Sequence, residues 1–305
     1  MAKAKPKGLM PPMITVFKSD ESLDEAGTRS FVNFLLQNGV HGVCPGGSTG
    51  EFISMTLEER RRTVEVVTEE VAGRGIVYPG TGHYSTRLAI ELSRHAEACG
   101  ADGVMVVPPY YLLPTKPQIK AHFRRLKDAI GIPIMLYNNP WYAGVELTSW
   151  EVAELVEEGV ISSIKVAHGD AGRVHDLISL CGDRLVVMYG HDLCALEGLL
   201  AGAQGWVSGL PNLIPALGRQ LYDAVERKDL EAARQVWYRM LPLVQFAESP
   251  ELKRNGGEPH WLCVVKAGLN MLGVPVGRPR QPLGDELSPE HQAELRRLLQ
   301  ALELL

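Results

Sequence analysis

Short apolar runs recur along the chain, each separated from the next by about one strand-plus-helix unit: "PPMITVF", "GVHGVC", "GIVYPGTG", "ADGVMVVPP", "IPIMLYN", "VISSIKV", "RLVVMYG" and "AQGWVSG". Between them apolar positions fall at helical spacing, as over 57–72, 86–99 and 150–158. Runs bounded by glycine and proline that alternate with helices describe parallel strands buried on both faces. Eight such runs in about 220 residues predict an α/β fold of the (β/α)8 TIM-barrel kind. An open doubly wound sheet more often has five or six strands. Thr56 followed by Glu59 carries the capping-box pattern and opens the helix after the second strand. Beyond about residue 224 the strand signals stop. Helical candidates near 230–246, 259–272 and 288–304 follow. The pattern divides the chain into a flexible arm (1–8), a barrel (9–226) and a C-terminal helical domain (227–305).

Composition narrows the class. With 305 residues and 45% hydrophobic content the chain has material for one large core. A formal net charge of -5 and the lack of a long basic cluster speak against nucleic acid, whose backbone attracts concentrated positive surfaces. The five cysteines include no C-x-x-C pair, so neither a disulfide framework nor a zinc site is expected, and a reducing cytoplasm fits. "MAKAKPKG" is followed by no apolar core, and no run approaches the ~18 apolar residues of a membrane span. The protein is therefore expected to be neither exported nor embedded. The nine histidines form no H-x-H or H-x-x-x-H pair, so no metal site is expected either.

In such a barrel, functional side chains come from the C-terminal ends of the strands and the loops that follow. "GGSTGE" follows the second strand, Tyr110 and Tyr111 the fourth, and His191 and Asp192 the seventh; Tyr137 and Asn138 end the fifth, Lys165 the sixth. Lys165 terminates "GVISSIK", where its ammonium meets apolar neighbours. Burial lowers a lysine pKa, and an amine near pKa ~7–8 can attack a ketone to form an imine. A strand-end lysine can also simply snorkel to solvent. Tyr137 lies one βα unit before Lys165, at the same end of the adjacent strand, where a phenol can relay protons. It reads equally well as a core aromatic. Lys127 and Lys266 read as helix-surface or helix–helix positions. Gly46, Gly47 and Gly50 would let the amides of Ser48 and Thr49 converge on an anion, such as the carboxylate of a 2-oxo acid. The turn lacks the lysine of a P-loop and the G-x-G-x-x-G of a dinucleotide fold.

With "GGSTGEF", "PPYY", "LYNNP" and "IKVAHGD" in this order and spacing, the chain resembles the dihydrodipicolinate synthase and N-acetylneuraminate lyase superfamily over nearly its whole length. The resemblance implies a Schiff-base lyase acting on pyruvate or another 2-oxo acid without metal or organic cofactor. It implies that Lys165 forms the imine, that Tyr137 relays protons, and that the Ser48 hydroxyl links Tyr137 to Tyr111. Ser48 and Thr49 would hold the carboxylate. Gly47, Gly190, Asp192 and Val207, the last through its carbonyl, would complete the substrate-binding set. Tyr111 would reach into a neighbouring subunit, implying a homodimer or a dimer of dimers. Two departures bear on the substrate. Tyr142 stands where true dihydrodipicolinate synthases keep an arginine for a distal carboxylate, so no second carboxylate clamp is visible. Ala167, Leu193 and Gly209 replace polar residues of the sialic-acid branch, and of that set only Asp192 survives. Trp141, Tyr142, His168, His191 and Trp206 suggest a smaller, more aromatic pocket. Aldol cleavage or condensation, dehydration and deamination all pass through one protonated imine, and all stay open. A true 4-hydroxy-tetrahydrodipicolinate synthase with an atypical distal-carboxylate site, a metal-dependent aldolase and a non-catalytic 2-oxo acid binding protein are the competing readings.

Overall fold

The structure, a computed structural model, describes residues 5–248, 260–284 and 286–305. Residues 1–4 of the expected arm and position 259 of the expected C-terminal helix lie outside the described residues. Eight short parallel strands form, all but the first within an expected apolar run: β1 (Gly8–Leu9), β2 (Gly42–Val43), β3 (Ile76–Val77), β4 (Val104–Val106), β5 (Ile134–Asn138), β6 (Ser163–Val166), β7 (Val186–Tyr189) and β8 (Gly205–Trp206). The helices α1 (Glu25–Gln37), α2 (Leu57–Val71), α3 (Thr86–Ala98) and α4 (Lys116–Ala129) follow the first four strands. A single turn, α5 (Pro140–Ala143), and α6 (Ser149–Glu157) follow β5; α7 (Gly172–Cys181), α8 (Ala195–Leu200) and α9 (Pro215–Glu226) follow the rest. Thr56 and Glu59 cap α2 reciprocally, as their spacing predicts.

Strand pairing runs β1-β8-β7-β6-β5-β4, with β2 beside β3. Two further seams close the ring. The His41 N–H donates to the Leu9 carbonyl at 2.8 Å and the Cys44 N–H to that of Pro11 at 3.0 Å, joining β1 to β2. The Met105 N–H reaches the Pro79 carbonyl at 2.8 Å and the Thr81 N–H that of Met105 at 3.0 Å, joining the end of β3 to β4. The first strand differs from the sequence expectation. It forms at Gly8–Leu9, upstream of the 11–17 run, and buries Gly8, which the pattern assigned to the arm. Pro11 and Pro12 have no N–H to give to a ladder, which moves the pairing ahead of them.

Side-chain parity along the strands separates two cores. Met10, Cys44, Tyr78, Met105, Met135, Tyr137, Met188 and Val207 fill the barrel interior. Leu136, Ile164, Val187 and Tyr189 alternate with them and pack outward on the helices. Each such aliphatic contributes roughly 1.5–3 kcal/mol on burial. The methionine-rich interior suits an irregular space, because an unbranched thioether adapts its shape.

After α9 the chain continues as α10 (Leu230–Glu248), α11 (Trp261–Met271) and α12 (Pro289–Ala301). Their apolar faces, including Trp237, Met240, Leu262, Val265 and Leu298, join one cluster with Leu9, Phe31 and Leu217 of the barrel. Of the two places expected for Lys266 of α11, the helix surface is excluded, since the residue is only 1% exposed. Its Nζ donates to Glu51 Oε1 at 2.7 Å and to the Arg278 carbonyl at 3.0 Å, while Glu51 Oε2 accepts the Arg280 N–H at 2.7 Å. The C-terminal helices thus grip the glycine turn after β2 from behind.

Removing one partner of a buried ion pair strands the other charge, at a typical cost of about 3–5 kcal/mol. Lys266→Met is expected to lose that much stability in denaturant unfolding, and Glu51→Gln/Lys266→Met to recover most of it. Equal losses in the single and double variants would show that packing, not charge, holds the turn.

Candidate active site

The β5–β6 ladder places Tyr137 directly opposite Lys165, and the β6–β7 ladder places Lys165 opposite Met188. All three side chains therefore point into the barrel at its C-terminal end. Lys165 is 3% exposed, with Nζ 3.9 Å from the centre of the Tyr137 ring. The Tyr137 hydroxyl accepts a hydrogen bond from Asn139 Nδ2 at 2.7 Å. An amide that donates into the phenol oxygen leaves the phenol's own proton free to be given elsewhere. Asn139 is itself held as the N-cap of α5. Asn138 faces away and braces the loop through both bonds to the Leu147 backbone. Space for the lysine comes from Gly190, where a Cβ would lie 2.6 Å from Lys165 Cε. Val207 is buried in the same interior cluster.

The turn Gly46–Gly47–Ser48–Thr49–Gly50 closes on itself. Gly50 N–H donates to the Gly47 carbonyl at 3.0 Å and Glu51 N–H to that of Ser48 at 2.9 Å, while Gly46 takes a φ of +68°. Among the described residues no acceptor takes the amide N–H of Gly47, Ser48 or Thr49. Converging unpaired amides make an anion-binding nest. Cys44 lies beneath, and burial pushes its thiol up to about 12 despite the nearby Lys165 charge. It stays protonated and is no nucleophile.

Asp192 is buried, and its Oδ2 accepts the Leu210 N–H at 3.2 Å. Burial raises its pKa to about 7, helped by Glu248 and opposed by a Ser208 hydrogen bond, the Leu210 amide and Lys165.

The remaining expected residues lie farther out. Tyr111 is 88% exposed with a φ of +73°, outside the group formed by Lys165, Tyr137 and the turn. Tyr142 is exposed at the rim, and its hydroxyl accepts a long 3.4 Å bond from Trp261 Nε1 of α11. Trp261 also fills the space over Gly209, where a Cβ would meet its ring at 2.7 Å. Trp206 corrects the expectation of an aromatic pocket residue: strand parity turns it outward, opposite Leu9 and Tyr189, into the helix-side core. Trp141 is exposed, and His168 Nε2 lies 2.9 Å from Glu146 at the rim.

Sequence reading missed three residues here. Asn139 was part of a quoted motif but had no role. Trp261 arrives from a helix more than fifty positions beyond β8, with no local signal. Arg60 is one charge in the run "EERRR", with no local signal of a role, yet it lines a small cleft with Gly47, Ser48 and Tyr137.

The sequence profile of the dihydrodipicolinate synthetase family matches residues 5–302. A 4-hydroxy-tetrahydrodipicolinate synthase from Methanopyrus kandleri is 37% identical over 303 residues, covering 98% of this chain and 97% of the relative. A putative dihydrodipicolinate synthetase from Pseudomonas aeruginosa superposes with a TM-score of 0.91 at 35% identity, covering 98% of this chain and all of the other. A prophage protein of the dihydrodipicolinic acid synthase family from E. coli K12, solved in complex with pyruvate, gives 0.90 at 30% identity, covering 99% of this chain and 100% of that one.

Gly190→Ala is expected to keep the fold but displace Lys165, so that circular dichroism is unchanged while any lysine-dependent rate falls at least tenfold. Asp192 supplies a pH test. Its folded pKa of about 7 lies above the ordinary 3.8. Between those values the folded state holds a proton that the unfolded chain has released, so stability falls as pH rises through the window. Asp192→Asn removes this penalty, and its melting-temperature advantage over wild type should be larger at pH 7.5 than at pH 4.5. An advantage independent of pH contradicts the assignment.

Proposed function

Since the chain belongs to the dihydrodipicolinate synthetase family, we propose that it is a Schiff-base lyase acting on pyruvate or a related 2-oxo acid, with Lys165 as the imine-forming amine. The observation that carries this reading is the buried Lys165 facing Tyr137 across one ladder step, at the barrel end where such folds keep their active sites. The substrate carboxylate docks on the free amides of Ser48 and Thr49. The Lys165 amine adds to the neighbouring carbonyl carbon, forming a carbinolamine. Tyr137, oriented by Asn139, supplies the proton with which the hydroxyl leaves as water. The resulting protonated imine accepts the electron pair released when a bond at the adjacent carbon breaks, and the enamine so formed is protonated or attacks an aldehyde. No metal or organic cofactor has a part in this sequence.

Gly190 gives the lysine room, Asp192 places a titratable carboxyl near it, and the Val207 carbonyl borders the site. The rim pair Tyr142 and Trp261 narrows the mouth, which favours short substrates over long polyols. Relatives named 4-hydroxy-tetrahydrodipicolinate synthase favour that activity as a second reading; Tyr142 at the position of the expected arginine sets the first apart. Tyr111, Leu112 and Leu113 form an exposed, largely apolar ledge suited to a second copy of the chain. A homodimer, or a tetramer built as a dimer of dimers, in the cytoplasm is part of the proposal; Tyr111 would then approach its partner's Ser48. Among the described residues no helix is long and apolar enough to cross a membrane.

Incubation with pyruvate and borohydride is expected to add one reduced adduct at Lys165, detected by peptide mass, and none in Lys165→Ala. Tyr137→Phe should lower turnover by roughly 10²–10⁴-fold, the usual share of a positioned proton donor. A folded wild-type protein that traps none of a panel of 2-oxo acids would sink this reading.

A further inference from the structure

The C-terminal helices enclose a second hollow, about 390 Å³ in volume, between α11, α12 and the chain that joins them. It shares no residue with the cleft that Tyr137 borders. Protein interiors are close-packed, so a space of this size beside a well-filled helical core needs a reason to stay open. Side-chain bonds supply it. Asn270 of α11 donates from Nδ2 to the Gly277 carbonyl at 2.9 Å and accepts the Val276 N–H on Oδ1 at 3.0 Å. Lys266 Nζ holds the Arg278 carbonyl, and the Cys263 thiol donates to the Leu283 carbonyl at 3.1 Å. From α12, Gln292 Nε2 donates to the Leu287 carbonyl at 2.8 Å. Gly277 takes a φ of +70°, and a Cβ there would lie 2.1 Å from the Phe17 carbonyl oxygen. The connecting chain is thus fastened to both helices and pressed on the barrel, and it cannot fold into the hollow without breaking those bonds.

The lining says what fits. Cys263 and Leu287 are buried and Ala267 and Met271 half-buried, so the inner end is apolar. Two of these four carry sulfur, which makes favourable contacts with aromatic rings. The free charge stands at the outer end. Arg278 is paired with Glu286, and Lys266 with Glu51. Arg296 is exposed, and among the described residues it makes neither an ion pair nor a hydrogen bond, whereas its neighbour Arg297 is paired with Glu294. One positive charge is therefore left over at the edge of an apolar hollow. A guanidinium is planar, binds a carboxylate through two parallel N–H groups and stacks on aromatic faces. A volume near 390 Å³ lies within the range of small-molecule sites, which combine an apolar lining with a few polar anchors. We propose that this hollow is a ligand site for a small aromatic monocarboxylate, with the ring at the apolar end and the carboxylate on Arg296. The site is separate from Lys165 and stands whether or not that amine forms an imine.

The test is isothermal titration of the full chain with phenylacetate, with phenylacetamide, which keeps the ring without the charge, and with acetate, which keeps the charge without the ring. Wild type is expected to bind phenylacetate saturably and each of the other two at least tenfold more weakly, the worth of one charge-assisted hydrogen bond or one buried ring. Arg296→Ala changes an exposed residue of α12 and should keep the fold. It is expected to bring phenylacetate down to the affinity of phenylacetamide, with phenylacetamide itself little changed. Ala267→Leu fills the inner end and should weaken both aromatic ligands at least tenfold, with circular dichroism unchanged. Phenylacetate binding that survives in both variants places the ligand elsewhere, for example on the glycine turn after β2, and overturns the site. Absence of saturable phenylacetate binding in wild type overturns it too, as does inorganic phosphate binding as tightly as phenylacetate. Should Ala267→Leu lose the fold, Arg296→Ala decides alone, an unchanged phenylacetate affinity counting against the proposal.

Discussion

The register of β5 against β6 is the constraint on which the site depends. Because side chains alternate across a strand, pairing Tyr137 with Lys165 puts both inside the barrel, and a slip of one strand by one residue would turn one of the two toward the helices. Register is held by what lies on the opposite face. Leu136 and Ile164 are packed against the helices, and no neighbouring register buries them while leaving Tyr137 and Lys165 inside. The hydrophobic outer core and the polar inner pair are thus two consequences of one alignment. Gly190, just past the end of β7, is the third, since only a residue without a Cβ lets the lysine lie against it.

Charge is distributed around this alignment unevenly. The turn after β2 is held in place because Glu51, at its far end, is tied to Lys266 and to the Arg280 backbone. Arg280 in turn bonds Glu59 at the start of α2 and stacks over Phe17 at 4.1 Å. A buried pair of this kind contributes little net stability but fixes geometry, as long as both partners are present. The helices after the barrel therefore act on the site twice, through Lys266 behind the turn and through Trp261 across the mouth. Arg60, one turn into α2, forms no ion pair among the described residues and instead donates to the Gly80 and Gly82 carbonyls.

The barrel and the main candidate residues were legible in the amino-acid sequence because both follow from local rules. Eight glycine- and proline-bounded apolar runs alternating with helical periodicity specify βα units, and a lysine or tyrosine closing a strand specifies which end of the barrel it faces. The position of β1 was misread because apolar content was weighed above the missing N–H groups of Pro11 and Pro12. Trp206 was misread because an aromatic residue at a strand end looks the same whichever way parity turns it, and parity depends on where pairing begins.

What the sequence by itself determined is the order of elements, the class of fold, and the set of side chains available at the barrel mouth, since these depend on spacing within some ten residues. Only the tertiary structure decided that Asn139 orients the Tyr137 hydroxyl, that Lys266 neutralises Glu51 across 215 positions, that Trp261 roofs Gly209, and that Arg60 is left unpaired. Those outcomes turn on distance, burial and the absence of a counter-charge, quantities that arise when remote segments are brought together and water is excluded between them.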